Sequence, residues 1–211
     1  MATQPIFGVG FTGKMKSGKD TCANMLTDAI FAWKGVWVIR RFAFADSLKQ
    51  ICIDHLGLTK HQCYDQDGKE EYNEFWGMSN REILQRVGTE AMRNGFHPDV
   101  WAKITELKIQ ETINKGYFYI ITDVRFPNEA ETIRRNNGII VEVNRPGIES
   151  NGIQNHASEQ TLSRELINWK IDNSKDLNYL EQQINNITEY IRSIEMCSEV
   201  EKQFSLPGEN A

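Results

Sequence analysis

No apolar run in this 211-residue chain approaches the length needed to cross a hydrocarbon core. The first residues, Met1-Ala2-Thr3-Gln4-Pro5, also lack the apolar core of an export signal. A protein without a membrane partner is the expectation. The four cysteines, Cys22, Cys52, Cys63 and Cys197, are scattered and form no C-x-x-C pair. That excludes the usual dithiol motifs and leaves reduced thiols in a cytoplasm as the simplest reading. A basic excess is missing too: 24 Lys+Arg stand against 29 Asp+Glu, for a formal charge of −5. A general nucleic-acid binder would show a basic surface, so no nucleic acid is expected as a partner. There is neither an internal repeat nor a low-complexity tract.

What is present is an apolar fraction of 40%, enough for a packed core, and a loop of unusual composition. Gly13-Lys14-Met15-Lys16-Ser17-Gly18-Lys19 follows the apolar run Ile6–Phe11 and precedes a helix-like segment from Asp20 to Leu26. Strand, glycine loop and helix in that order are the setting of a phosphate-binding P-loop. Gly13 and Gly18 lack a Cβ, so the backbone can turn sharply and approach an anion. Loop N–H groups and the helix N-terminus aim partial positive charge at phosphate oxygens, and Lys19 adds a mobile full charge. The residue after the P-loop lysine is normally Ser or Thr, whose hydroxyl holds Mg²⁺. Here Asp20 takes that place, with Thr21 next. A carboxylate is a hard-oxygen partner for Mg²⁺ and sits well in a helix's first turn. This departure argues against a generic GTPase or motor ATPase.

The pattern predicts strands at Ile6–Thr12, Val36–Phe42, Tyr117–Asp123, Ile139–Asn144 and Trp169–Asp172. The third is a near-continuous apolar run, as expected of a strand buried on both faces of a parallel sheet. Helices are predicted at Lys19–Phe31, Ser47–His55, Asn80–Met92, Val100–Lys115, Asn128–Asn136, Ser158–Leu166 and Leu177–Ser193. Asn80 and Asp99 read as N-caps, and Gly116 and Gly138 as stops. The alternation implies an α/β fold: a doubly wound parallel sheet with helices on both faces and ligands at the strands' carboxyl ends. One domain of residues 1–203 is expected, with a lid or substrate-binding insert at about 58–115 and a loose tail at 204–211. Leu58 to Ser79 breaks the alternation and reads as a solvated, lid-like stretch. His55, His61 and Cys63 within and beside it match no zinc spacing.

Three further clusters fall where a doubly wound nucleotide site needs them. At the end of the second strand, Asp46 reads equally as a ligand for a sugar or a metal-bound water and as a capping acid, while Lys49 could reach a phosphate. In Asn80–Glu90, Arg81, Gln85 and Gly88 or Thr89 share one helical face at steps of three and four. That face offers a guanidinium fork, an amide for a base edge and a small residue; a solvated face is the equal alternative. Trp101 could cover a flat base or sugar, although a lone Trp is more often core. Asp123 and Arg125 follow the most buried strand, placed for a metal or substrate and for a transferring phosphoryl group. The plainer alternative pairs Arg125 with Glu129 across one helical turn. Asn173 and Arg145 end later strands, where an adenine ring would lie, and turn chemistry would also explain them.

Together these segments resemble the deoxynucleoside monophosphate kinases of bacteriophages. The resemblance rests on Gly13–Thr21, Phe44–Lys49, Arg81 with Gln85–Glu90, Asp123–Glu129 and His156-Ala157-Ser158-Glu159, so it covers most of the chain. The P-loop alone is unspecific; its Gly-Lys-Asp ending, joined to Gly-Thr-Glu and Asp-Val-Arg-Phe, is more so. The resemblance implies ATP- and Mg²⁺-dependent phosphoryl transfer to a deoxynucleoside 5′-monophosphate. It implies that Lys16, Ser17, Gly18, Lys19, Asp20 and Thr21 hold ATP phosphates. Arg81, Gln85, Gly88, Thr89, Trp101 and Asp123 would form the monophosphate pocket. Lys19 and Arg125 are the expected catalytic pair, Asp20 and Asp123 the expected metal ligands, and Gly13 and Asn173 complete the ATP site. Family members often carry a basic residue where this chain has Met15. The resembled family is dimeric in general, which implies a homodimer, in the host cytoplasm for a phage-encoded chain. The alternatives are a kinase acting on dephospho-coenzyme A or phosphomevalonate, which shares this fold, and a nucleotide-binding regulator without turnover.

Overall fold

The computed structural model describes residues 4–34, 39–147 and 162–204. The predicted helix start at Ser158, with His156, and residues 36–38 of the second predicted strand lie outside them. The chain divides into two compact units, one of residues 1–42 and 109–211 and the other of residues 43–108. The expected insert was placed at about 58–115.

The first unit is built on a five-stranded parallel sheet. Its strands are β1 (Gly8–Thr12), β2 (Ile39–Phe42), β5 (Phe118–Val124), β6 (Gly138–Asn144) and β7 (Trp169–Asp172), in the spatial order β2-β5-β1-β6-β7. β1 is therefore central. Its register runs Val9 to Ile120 on one side and Val9 to Ile139 on the other. Among the described residues, α1 (Lys19–Lys34), α7 (Pro127–Arg135) and α8 (Leu177–Phe204) are the α-helices that lie wholly in this unit. Strand alternation sends Val9 and Phe11 into one core with Leu26 and Ile30 of α1 and Leu180, Ile184 and Ile187 of α8. α8 runs eleven residues past its predicted end at Ser193. Among the described residues no helix is long and apolar enough to cross a membrane.

The other face of the sheet meets α7 and is shaped by glycine. A Cβ on Gly8 would lie 2.4 Å from the ring of Tyr119, and one on Gly138 would lie 2.2 Å from its hydroxyl. The two glycines make room for a fully buried Tyr119, whose hydroxyl donates to the carbonyls of Ile133 and Asn136 at 3.1 and 3.2 Å. Gly138 is thus not the predicted helix stop. α7 ends at Arg135, Asn137 takes the left-handed turn at φ 53, and Gly138 opens β6 beneath Tyr119. Gly116 does sit in the left-handed region, at φ 72, between α6 and β5.

The second unit is mainly helical: α2 (Asp46–Leu56), α3 (Lys60–Tyr64), α4 (Gln66–Glu70), α5 (Asn80–Gln85) and the start of α6 (Val100–Asn114). A small hairpin, β3 (Tyr72–Asn73) and β4 (Met78–Ser79), precedes α5. The stretch Leu58–Ser79, expected to be solvated and lid-like, is largely exposed, but it is mostly built into short elements. Its buried face explains why: Cys52, Leu58, Cys63 and Ile83 form a core with Leu48, Leu56 and Met78 against them. Asn80 is not the N-cap. Ser79 caps α5, accepting from Glu82 N–H at 3.2 Å. Asn80 is fully buried, donating to the Gly68 carbonyl at 2.8 Å and accepting from Asn73 at 3.1 Å. The predicted single helix Asn80–Met92 also changes character: from Arg86 to Asn94 it is a nine-residue π-helix.

Candidate active site

β1 ends at Thr12, and the loop from Gly13 to Gly18 leads directly into α1. Gly13 at φ 140, Lys16 at φ 63 and Gly18 at φ 101 all lie at positive φ. For Gly13 and Gly18 the conformation is also a matter of space. A Cβ on Gly13 would lie 2.4 Å from the Val143 carbonyl of β6, and one on Gly18 would lie 2.5 Å from the side-chain amide of Asn173. The loop is thus pressed against the carboxyl edge of β6 and the turn after β7, and only glycine fits at either end.

Lys19 folds back over this loop. Its ammonium donates to the carbonyls of Gly13 at 2.9 Å and Lys14 at 2.7 Å. Its pKa is held below the usual lysine value, first by burial and then by the like charge of Arg125. Asp20, Asp123 and Cys22 act in the opposite direction. Of the four residues expected to carry the chemistry, Asp20, Asp123 and Arg125 thus each act electrostatically on Lys19. Ser17 adds a buried hydroxyl, 1% exposed, that has no hydrogen-bond partner among the described residues. An orphaned buried hydroxyl beside an N–H-rich loop fits a site whose ligand completes it. Thr21 is half-buried in the first turn of α1, while Lys14, Met15 and Lys16 are exposed.

Asp20 is largely exposed and pairs with Arg41 of β2 across 3.8 Å; Arg41 also donates to Asn24, one turn on in α1. Arg41 was not singled out from sequence, because an arginine in a short strand carries no motif. Glu129 takes a role different from the ion pair with Arg125 that stood as the plainer alternative. Its carboxylate, 2% exposed, accepts from the backbone N–H groups of Arg125 at 2.9 Å and Phe126 at 3.1 Å. It grips the backbone of the turn after β5 and leaves the Arg125 side chain exposed. Asn173 is half-buried and donates its side-chain amide to the Ser17 carbonyl at 2.8 Å. Arg145 is exposed beyond β6.

Asp20 and Asp123 are hard oxygen donors suited to a Mg²⁺ that rests mainly on phosphate and water. Among the described residues no cluster of three or more metal-ligating side chains exists. A cation held by one or two carboxylates together with substrate phosphates does not require one.

In the second unit, Arg81 is half-buried and gives both its Nε and an Nη to one oxygen of Glu70, at 2.7 and 2.6 Å. Gln85 is half-buried and Thr89 exposed. The π-helix changes the expected common face: beyond Arg86 each turn takes up more residues, so α-helical steps of three and four no longer align Gly88 or Thr89 with Arg81. Gly88 is buried, and a Cβ there would meet Leu48 at 2.7 Å. Trp101 is only 3% exposed, and its indole N–H donates to the Gly88 carbonyl at 2.9 Å. It supports the π-helix from below. Asp46 is the first residue of α2, with Ala45 as the N-cap; it accepts from the Ala43 N–H of the preceding turn at 2.7 Å and so does not cap the helix, and Lys49 lies 3.9 Å above the Tyr64 ring. His61 is occupied by Asp65 at 2.8 Å, and His55 lines an open polar cleft of about 440 Å³ with Asp46, Asp54 and Lys108.

The family model of the deoxynucleotide monophosphate kinases matches residues 34–184. A provisionally named deoxynucleotide monophosphate kinase of Acanthamoeba polyphaga mimivirus is 33% identical over 166 residues, covering 73% of this chain and 81% of its own. The deoxynucleoside-5′-monophosphate kinase of Escherichia phage T5 is 26% identical over 182 residues, covering 61% of this chain and 72% of its own. Among solved structures, the dephospho-CoA kinase of Campylobacter jejuni aligns with 88% of this chain and 97% of its own, at a TM-score of 0.45 and 15% identity. That likeness is too distant to bear on activity. The match across 34–184, with the mimivirus relative alongside it, decides the matter: the chain belongs to the deoxynucleotide monophosphate kinase family.

Proposed function

We propose that this kinase transfers the terminal phosphoryl group of ATP to a deoxynucleoside 5′-monophosphate, giving the diphosphate. The observation that carries the reading is the P-loop at the end of β1, with Gly13 and Gly18 at positive φ and the Lys19 ammonium folded over it onto the Gly13 and Lys14 carbonyls. Arg125, which follows β5, acts on Lys19 as a like charge, and a polyanion such as a phosphate chain suits both. Phosphoryl transfer needs little covalent chemistry from the protein; it needs positioning and charge neutralisation.

In this reading the N–H groups of Gly13 to Thr21 and the α1 N-terminus cradle the ATP phosphates. Lys16, Ser17 and Thr21 add side-chain contacts. Lys19 exchanges the Gly13 and Lys14 carbonyls for the transferring phosphate, and Arg125 neutralises charge that builds on it. Asp20 and Asp123 would hold Mg²⁺, which supplies charge neutralisation at the phosphates when bound. Arg81 and Gln85 of α5 and Thr89 of the π-helix that follows receive the acceptor, and Gly88 and Trp101 hold that π-helix in place. Assembly as a homodimer and a cytoplasmic setting follow from the family resemblance, and sedimentation reads out the first.

The test mixes the protein with Mg²⁺, ATP and a panel of deoxynucleoside and ribonucleoside monophosphates, with dephospho-coenzyme A as a further acceptor. Diphosphates from one or more deoxynucleotides are expected. No diphosphate from any of them, or turnover confined to dephospho-coenzyme A, overturns the reading.

A further inference from the structure

Asn173 stands at the turn after β7, where an adenine contact is the ready expectation. Its hydrogen bonds point elsewhere. The backbone N–H donates to the Asn144 carbonyl at 2.7 Å, which fixes the turn to the end of β6. The side-chain amide donates to the Ser17 carbonyl at 2.8 Å, joining residues 156 positions apart in the chain. Gly18 leaves room for this: a Cβ there would lie 2.5 Å from that same amide nitrogen.

A planar trans peptide carries its C=O and N–H in opposite directions. Holding the Ser17 carbonyl on Asn173 therefore turns the Gly18 N–H to the opposite side. Among the described residues that N–H meets no acceptor. It is one of the loop donors that a phosphate can use. Gly18, at φ 101, could rotate this peptide freely if nothing held it.

We propose that Asn173 is a positioning residue for the phosphate loop: its amide pins the Ser17–Gly18 peptide so that the Gly18 N–H is presented to the phosphate chain. The inference rests on the P-loop of the proposed function. It assigns Asn173 to the phosphates through the loop and not to the base.

The experiment measures binding of ATP, GTP and inorganic tripolyphosphate to the whole protein by calorimetry, for the original chain, Asn173→Ala and Asn173→Asp. Tripolyphosphate has no base. The alanine variant should weaken ATP and tripolyphosphate by the same factor, about five- to tenfold for one lost hydrogen bond. The ratio of ATP to GTP affinity should stay unchanged. Asn173→Asp keeps the shape but sets oxygen against oxygen, so it should weaken both at least as much. If Asn173→Ala does not fold, Asn173→Ser carries the same comparison. Loss of ATP affinity with tripolyphosphate unaffected would assign Asn173 to the base and overturn the proposal. So would unchanged binding of both. A protein that binds neither ligand even in its original form removes the P-loop reading and this proposal with it. ATP binding that Lys19→Ala leaves untouched does the same.

Discussion

Lys19 and Arg125 oppose each other electrostatically: after burial, the guanidinium of Arg125 is the largest cause of the lowered Lys19 pKa. One cation follows β1 and the other follows β5, two adjacent strands of the sheet. The two like charges disfavour each other, Asp20 and Asp123 work against that on Lys19, and a bound anion would gain from both cations.

Removing Arg125 should therefore separate stability from rate. Arg125→Ala relieves a repulsion and discards an exposed side chain, so the melting temperature should not fall. Turnover should drop by about 10²–10³-fold, the scale of a lost charge donor in a transition state. A variant that keeps near-normal kcat would remove Arg125 from the reaction. A variant that melts well below the original would show that the side chain is structural.

Arg81 gives the second prediction. Its pair with Glu70 is exposed enough, 34% and 58%, that solvent leaves it worth little to folding. Arg81→Ala should barely change the melting temperature. If its guanidinium binds the acceptor's phosphate, the acceptor KM should rise about ten- to hundredfold, while the KM for ATP holds. Steady-state kinetics with each substrate varied in turn decides it. Equal losses for both nucleotides would contradict the assignment.

The resemblance puts Trp101 in the acceptor pocket as a wall against a base or sugar, whereas a lone Trp is more often core; it is buried and donates to the Gly88 carbonyl, as the core reading expects. Its first effect is thus on folding. Trp101→Ala should destabilise by about 3–5 kcal/mol, the cost of deleting a large buried aromatic. Trp101→Phe removes the N–H together with part of the ring and should cost less than the alanine variant, about 1–3 kcal/mol. Chemical denaturation of both variants checks this, and an alanine variant as stable as the original would return Trp101 to the pocket surface.

The sheet was legible because β5 is a continuous apolar run and the P-loop announces the end of β1. Hidden features have specific causes. The short α3, α4, β3 and β4 sit in a stretch so rich in charge that it reads as solvent-facing, although Leu58 and Cys63 turn inward. The π-helix from Arg86 has no composition of its own; it shows only in which N–H meets which carbonyl. Asn173 and Glu129 both carry polar side chains that act on backbone groups. A residue's type signals its own chemistry, but not a carbonyl far along the chain that it will hold.

His61 supplies a pH-dependent test of the second unit. Its ring lies 2.8 Å from Asp65 and 3.4 Å from Glu71, with Asp67 at 4.0 Å. These carboxylates raise its pKa above the usual 6.5, the hydrogen bond to Asp65 foremost. A raised folded-state pKa means that the protonated ring favours the folded chain. That contribution is fully present below the unfolded value of about 6.5 and fades as pH rises through the higher folded value. His61→Gln keeps a polar side chain but cannot take up the proton. The difference in melting temperature between the original protein and this variant should therefore be larger at pH 5.5 than at pH 9, read at low salt where exposed charges are least screened (about 30 Å Debye length at 0.01 M). The gap should shrink when salt is raised. A difference that stays constant across this range, or grows towards high pH, would show that His61 acts through packing and not through its charge.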